Sequence, residues 1–143
     1  MKKLFFAASL SVFMTAACQS SATKEALKGQ QLAQQAIAVH DEIMPQISVF
    51  NKMSVKIDSI LGNMSAVTSA KADVDTTALK TELQTLKTNL ESATDNMMTW
   101  MHGYVADSTD VAYQQSELEK VKAMQKHFEE VALESNKILS SLK

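Results

Sequence analysis

Residues 76–105 read TTALKTELQTLKTNLESATDNMMTWMHGYV, and in this stretch Leu79, Leu83, Leu86, Leu90, Ala93, Met97, Trp100 and Tyr104 alternate spacings of three and four. That period describes one apolar stripe on a long helix and no strand. Upstream, from Lys24 to about Met64, the same alternation joins Ala36, His40, Ile43, Ile47, Phe50, Ser54, Ile57, Leu61 and Met64. Gly62-Asn63 supplies its stop, and Pro45, which cannot donate to the carbonyl of Asp41, predicts a kink or a break into two helices. Residues 64–77 turn to Ser, Thr, Ala and Asp without period, a connecting loop that ends at the N-cap candidate Asp75. Downstream, Asp107-Ser108-Thr109-Asp110 reads as a compact turn. A third helix from about Val111 to Leu142 follows, with Val121, Met124, Phe128, Val131, Ser135, Ile138 and Leu142 on its apolar face and a capping-box pattern at Ser116-Glu117-Leu118-Glu119 that offers a later start.

Three glycines and one proline in 143 residues are too few for the turns of a sheet protein. The expected fold is all-α. Residues 24–143 should form one antiparallel up-down-up three-helix bundle whose long first helix is kinked near Pro45, or four helices if the proline breaks it.

The chain opens with Met1-Lys2-Lys3, an apolar run from Leu4 to Met14, and Thr15-Ala16-Ala17. A basic start, a short apolar core and small residues make residues 1–17 an export signal, too short to span a bilayer. Cys18 is the sole cysteine. Thr15-Ala16-Ala17-Cys18 resembles the lipobox of bacterial lipoproteins, with Thr15 where that motif usually carries leucine, and the resemblance implies that Cys18 is lipidated and becomes the new N-terminus. Ordinary cleavage after Ala17, leaving a free thiol, is the alternative. Residues 18–23 then form the anchor and a polar tether holding the domain off a membrane. Gln19 after the cysteine favours the outer membrane over the inner one, with the domain in the periplasm or at the surface.

All fourteen basic residues are lysine, so the side chain best fitted to grip phosphate in a bidentate fashion is missing. Removal of Lys2 and Lys3 with the signal leaves twelve lysines against sixteen acids, net −4, which argues against nucleic acid as a partner. No phosphate loop, zinc-protease pattern or nucleophile elbow is present, and no enzyme is expected. In His40-Asp41-Glu42, adjacent helical positions diverge, so neither carboxylate should converge on the imidazole. His127, beside Phe128, reads as a surface histidine.

Seven of nine methionines remain after the signal. If the first two helices turn about residue 70, residues whose numbers sum to about 140 share a height, and for the next pair the sum is about 218. One end of the bundle then gathers His40, Met44, Met97, Met98, Trp100, Met101 and Tyr104, with His102 on the same turn. Met97, Trp100 and Met101 share the buried face, whereas Met98 and His102 form a flank pair. Two readings of this cluster stand side by side. In one, thioethers and imidazole hold a soft monovalent ion, Cu(I), with Trp100 capping it through its π face. In the other, methionines fill gaps in a slender core, Trp100 and Tyr104 seal its end, and His40 bonds to Tyr104 or a backbone carbonyl. An apolar ligand between the helices, or b-type haem held by Met and His, are further options. Without Cys-x-x-Cys-His, covalent haem is excluded.

His40-Asp41-Glu42-Ile43-Met44-Pro45 and Met97-Met98-Thr99-Trp100-Met101-His102-Gly103-Tyr104 together resemble a family of small helical lipoproteins from Bacteroidota, often labelled viral A-type inclusion protein. The resemblance covers most of the mature chain. It implies the helical architecture and the envelope location and brings no activity with it. The functional expectation is an envelope lipoprotein acting as a non-enzymatic structural or protein-interaction module, through an envelope partner or self-association and without a cofactor, the alternative being Cu(I) binding.

Overall fold

The structure is a computed structural model that describes residues 16–70 and 75–142. Most of the expected signal, residues 1–15, lies outside the described residues, as do residues 71–74 and Lys143. Among the described residues the chain forms four helices: α1 (Ala16–Gly62), α2 (Met64–Ala70), α3 (Thr76–Gly103) and α4 (Val111–Ser141).

The long helices exist because their apolar residues return on one side every seven positions. On α1, Gly29, Ala36, Ile43, Phe50 and Ile57 are buried at seven-residue steps, and His40, Ile47, Ser54 and Leu61 form a half-buried column beside them. On α3, Leu79, Leu83, Leu86, Leu90, Ala93 and Met97 are buried. On α4, Gln114, Val121, Phe128 and Ser135 repeat the seven-residue step, flanked by Leu118, Val131, Ile138 and Leu139. Phe50 and Phe128 stack at 4.8 Å between ring centroids and are almost fully buried. Each large apolar side chain removed from water in this way contributes about 1.5–3 kcal/mol.

α1 packs against both α3 and α4, and α3 packs against α4. Across α1 and α3, Asp58 meets Lys87 at 2.6 Å and the Ala33 carbonyl lies 3.5 Å from the Tyr104 hydroxyl, so numbers fall on one helix as they rise on the other. The order is likewise opposed across α3 and α4, where Asn89 meets Glu134 at 3.3 Å and Tyr104 meets Gln114 at 2.8 Å. Between α1 and α4 it runs the same way, from Glu42–Gln125 at 2.7 Å to the Phe50–Phe128 stack.

Two departures from the sequence expectations, a fourth helix and a helical tether, have local causes. Part of the expected loop is the helix α2, joined to α1 through the single residue Asn63, whose carbonyl accepts from Ala66 and Val67. Met64 and Val67, three apart, give α2 an apolar edge against the core, so the count is four helices and not three. α1 stays one long helix through Pro45, the continuous course expected, and the alternative break into two helices does not occur. The proline is exposed, the carbonyl of Asp41 that loses its donor belongs to an exposed residue, and Gln46 Nε2 donates to the next carbonyl, that of Glu42, at 3.4 Å. The segment read as a tether, residues 18–23, is helical and continues into α1. α4 starts at Val111, as expected, and not at the alternative Ser116 pattern, because Asp110 caps it by accepting from Ala112 N at 2.8 Å and Tyr113 N at 3.1 Å. Asp75 caps α3 in the same manner, as expected, accepting from Thr77 N and Ala78 N. No helix among the described residues is long and apolar enough to cross a membrane.

Candidate functional site

Where α3 ends and α4 begins, four rings follow one another. His40 of α1 lies 5.9 Å from Trp100, Trp100 stacks on Tyr104 at 4.6 Å, and Tyr104 faces Tyr113 at 6.4 Å. Trp100 and Tyr104 stack because residues four apart stand above one another on a helix.

Polar groups hold this row in place. Trp100 Nε1 donates to Glu117 Oε2 at 2.8 Å, and Lys120 Nζ donates to Glu117 Oε1 at 2.6 Å. The Glu117 carboxylate, only 7% exposed, therefore has a partner on each oxygen. Its hydrogen bond and its charge raise the Lys120 ammonium above the ordinary lysine value. Tyr104 is likewise raised, first by burial and then by Tyr113 and Glu117. Its hydroxyl donates to Gln114 Oε1. Gln114, fully buried, turns its amide nitrogen to the carbonyls of Val105 and Ser108 at 3.0 Å each, and to that of Ala106 at 3.4 Å. Tyr113 completes the clasp by accepting from Val105 N at 2.8 Å. The clasped loop rests on α1 at Gly29, where a Cβ would stand 3.3 Å from the Thr109 carbonyl oxygen. Trp100, Tyr113, Glu117 and Lys120, with Asn96 and Gly103, line an open groove of about 550 Å³ between α3 and α4.

The candidate ligands occupy unlike environments. His40 is 18% exposed at its side chain. Its Nδ1 lies 3.0 Å from Asp41 Oδ1, which corrects the expectation that adjacent positions keep the carboxylate away: the short Asp side chain bends back along the helix surface. Glu42 does diverge, to Gln125. The expected His40 bond to Tyr104 or a backbone carbonyl is not what forms, since Tyr104 is committed to Gln114. Because a carboxylate only accepts, Nδ1 carries the proton, and Nε2 is left buried with no hydrogen-bond partner. Met97 is fully buried in the core, Met44 is half-buried against it, and Met98 and Met101 are half-buried. His102 is exposed and donates from Nδ1 to the Met98 carbonyl at 2.7 Å. The structure thus brings together His40 and Trp100, while His102 faces solvent one turn from Met98. The Cys18 side chain lies outside the described residues, and His127 is half-buried.

Among the described residues no three His, Cys, Asp or Glu side chains gather as metal ligands, so an ion at this end would draw on methionine sulfur. The residues that organise the site, Gln114, Glu117, Tyr113 and Gly29, were not candidates in the sequence. Two signals pointed to them: Gln114 lies seven positions before Val121 in the buried column, and a half-buried indole N–H demands an acceptor. No family model, no curated protein and no solved structure matches this chain.

Proposed function

We propose that this protein is a bacterial envelope lipoprotein, processed after Ala17 and anchored through a lipid on Cys18, whose helices form an up-down-up bundle that acts as a non-enzymatic structural or protein-interaction module. The observation that carries this reading is the course of α1 past the bundle. The α3–α4 loop crosses α1 at Gly29, yet α1 extends back to Ala16, and residues 22–25, 27 and 28 are exposed. At about 1.5 Å per residue, residues 18–28, which remain after processing, make a stalk of roughly 16 Å. Lys24, Glu25 and Lys28 keep it solvated. It leads from the domain to Cys18, so a lipid there sets the bundle at a distance from the bilayer without a spanning helix.

The opposed order of residue pairs across α1–α3 and α3–α4, with matched order across α1–α4, supports the up-down-up course. Apolar residues left outside the core, Val55 at 69% and Leu133 at 71% exposure, support a role in contact with an envelope protein or a second copy. This is the architecture and compartment that the resemblance to small Bacteroidota lipoproteins implies, with the outer membrane favoured by Gln19.

The test is the mass of the N-terminal peptide after extraction from membranes. Acyl groups on Cys18 are expected, together with release of a Cys18→Ser variant into the soluble fraction. A free Cys18 thiol, or a Cys18→Ser variant that stays with the membrane, would overturn the anchor.

A further inference from the structure

His40 Nε2 is a buried nitrogen lone pair with no partner, and its chemistry is set by its neighbour. The Asp41 carboxylate accepts a hydrogen bond from Nδ1–H, which fixes the tautomer that leaves Nε2 with its lone pair. A histidine oriented by a carboxylate on one nitrogen and bare on the other is the arrangement metal-binding imidazoles adopt. A buried nitrogen without a hydrogen-bond partner costs free energy, so a ligand that supplies the missing bond has a driving force.

Helical periodicity puts three methionines on the lines of α1 and α3 that run past His40. The Asp58–Lys87 ion pair marks the seam between α1 and α3. His40 stands five whole turns before Asp58 on the same line of α1, and Met44 follows one turn after His40. On α3, Met98 stands close to the line of Lys87, three turns on, and Met101 lies within about 60° of Met98. Met44, Met98 and Met101 are all half-buried, as residues flanking a helix seam should be. The 5.9 Å approach of the His40 and Trp100 rings fixes the height at which the two helices face each other here, level with Met101. Imidazole with thioethers is a soft, uncharged donor set that suits a monovalent d¹⁰ cation over Zn(II) or Mg(II). The indole of Trp100 adds a π face beside the imidazole.

We infer that the α1–α3 seam at His40 binds one Cu(I) or Ag(I) ion through His40 Nε2 and the thioethers of Met44 and Met101, beside the face of Trp100. Coordination changes no oxidation state: Nδ1 keeps its proton toward Asp41 while Nε2 supplies the lone pair. Met97, fully buried in the core, is left to packing. His102 takes no part, since it turns to solvent on the far side of Met98.

The chain has one tryptophan, so its emission reports on this site alone. Ag(I), which needs no reductant, is titrated into the full-length domain while Trp100 fluorescence is recorded, and Cu(I) is then competed against a chromophoric chelator. Saturable quenching at one equivalent is expected, with Zn(II) at the same concentration inactive. His40→Leu should weaken binding at least about tenfold, as should the Met44→Leu/Met101→Leu double variant. Asp41→Ala should weaken it by about ten- to a hundredfold through the lost orientation of the imidazole. Met53→Leu, at a methionine further along α1, should bind like the parent. Circular dichroism confirms that each variant is helical, and the methionine pair tests the site independently if His40→Leu fails to fold. Quenching that never saturates, Zn(II) binding as tight as Ag(I), or the same loss in Met53→Leu as in the double variant would each overturn the inference.

Discussion

Trp100 and Glu117 are joined across α3 and α4 by an indole-to-carboxylate hydrogen bond of 2.8 Å, and the row of rings from His40 to Tyr113 depends on it. Removing the acceptor leaves a half-buried indole N–H without a partner. Glu117→Ala should therefore destabilise the domain by about 2 kcal/mol. Glu117→Gln should lose less, because an amide oxygen still accepts from Trp100 Nε1. Lys120→Met should scarcely move the unfolding midpoint, since that ammonium is held at the surface. Urea unfolding followed by Trp100 emission ranks the three variants, and Lys120→Met proving the most damaging would contradict this order.

Gln114 carries the largest polar burden in the core. Its side chain is fully buried and serves three loop carbonyls and the Tyr104 hydroxyl. Gln114→Leu fits the space but abandons those groups, so a loss of about 2–3 kcal/mol is expected. Amide hydrogen exchange should show faster opening around residues 105–110 while Leu83–Leu90 of α3 stays protected. Uniform acceleration along both helices would mean that the clasp is not a local device.

Glycine substitutions separate close approach from helix propensity. At Gly29 a methyl group would press on the Thr109 carbonyl at 3.3 Å, whereas nothing lies within 4 Å of a Cβ at Gly103, and neither residue has a positive φ. Gly103→Ala should raise stability by a few tenths to about 1 kcal/mol, the ordinary gain from alanine in a helix. Gly29→Ala should gain less than this, and Gly29→Val should lower the melting temperature by forcing the loop off α1. Thermal melts of the three variants check the order.

What the sequence made legible followed from period, and what it hid followed from contacts between distant segments. The stripe of Leu79 to Met97 is buried as its spacing requires, and the cap Asp75 acts through side-chain chemistry readable within four residues. α2 was hidden because seven residues of Ser, Thr, Ala, Val and Met carry little helical preference until Met64 and Val67 meet the core. Gln114 was hidden because its partners are carbonyls that converge only when the loop has folded. The pairing of His40 with Asp41 escaped a helical wheel for a different reason. A wheel records where Cβ atoms point, and the carboxylate reaches Nδ1 by turning back along the surface. Level matching about the turns did place His40 opposite Trp100, because register between long helices is set by where the chain reverses.

Tyr104 gives the fold an alkaline limit whose sign can be worked out. Burial, then Tyr113 and Glu117, raise its phenol above the ordinary value of 10.0. The folded state thus keeps the Tyr104 proton at pH values where the unfolded chain has lost it, and the unfolded chain binds fewer protons there. Stability from this group is complete below about pH 10 and falls as the pH rises toward the folded value. Lys87, raised mainly by its hydrogen bond to Asp58, declines in the same direction from above pH 10.5. Tyr104→Phe separates the two. It forfeits the Gln114 hydrogen bond, so its stability at pH 7 should be lower by about 1 kcal/mol. Between pH 9 and 11 its unfolding midpoint in urea should decline less steeply than that of the parent, and the two curves should converge. Parallel curves across that window would show that Tyr104 ionises alike in both states and that burial does not hold its proton.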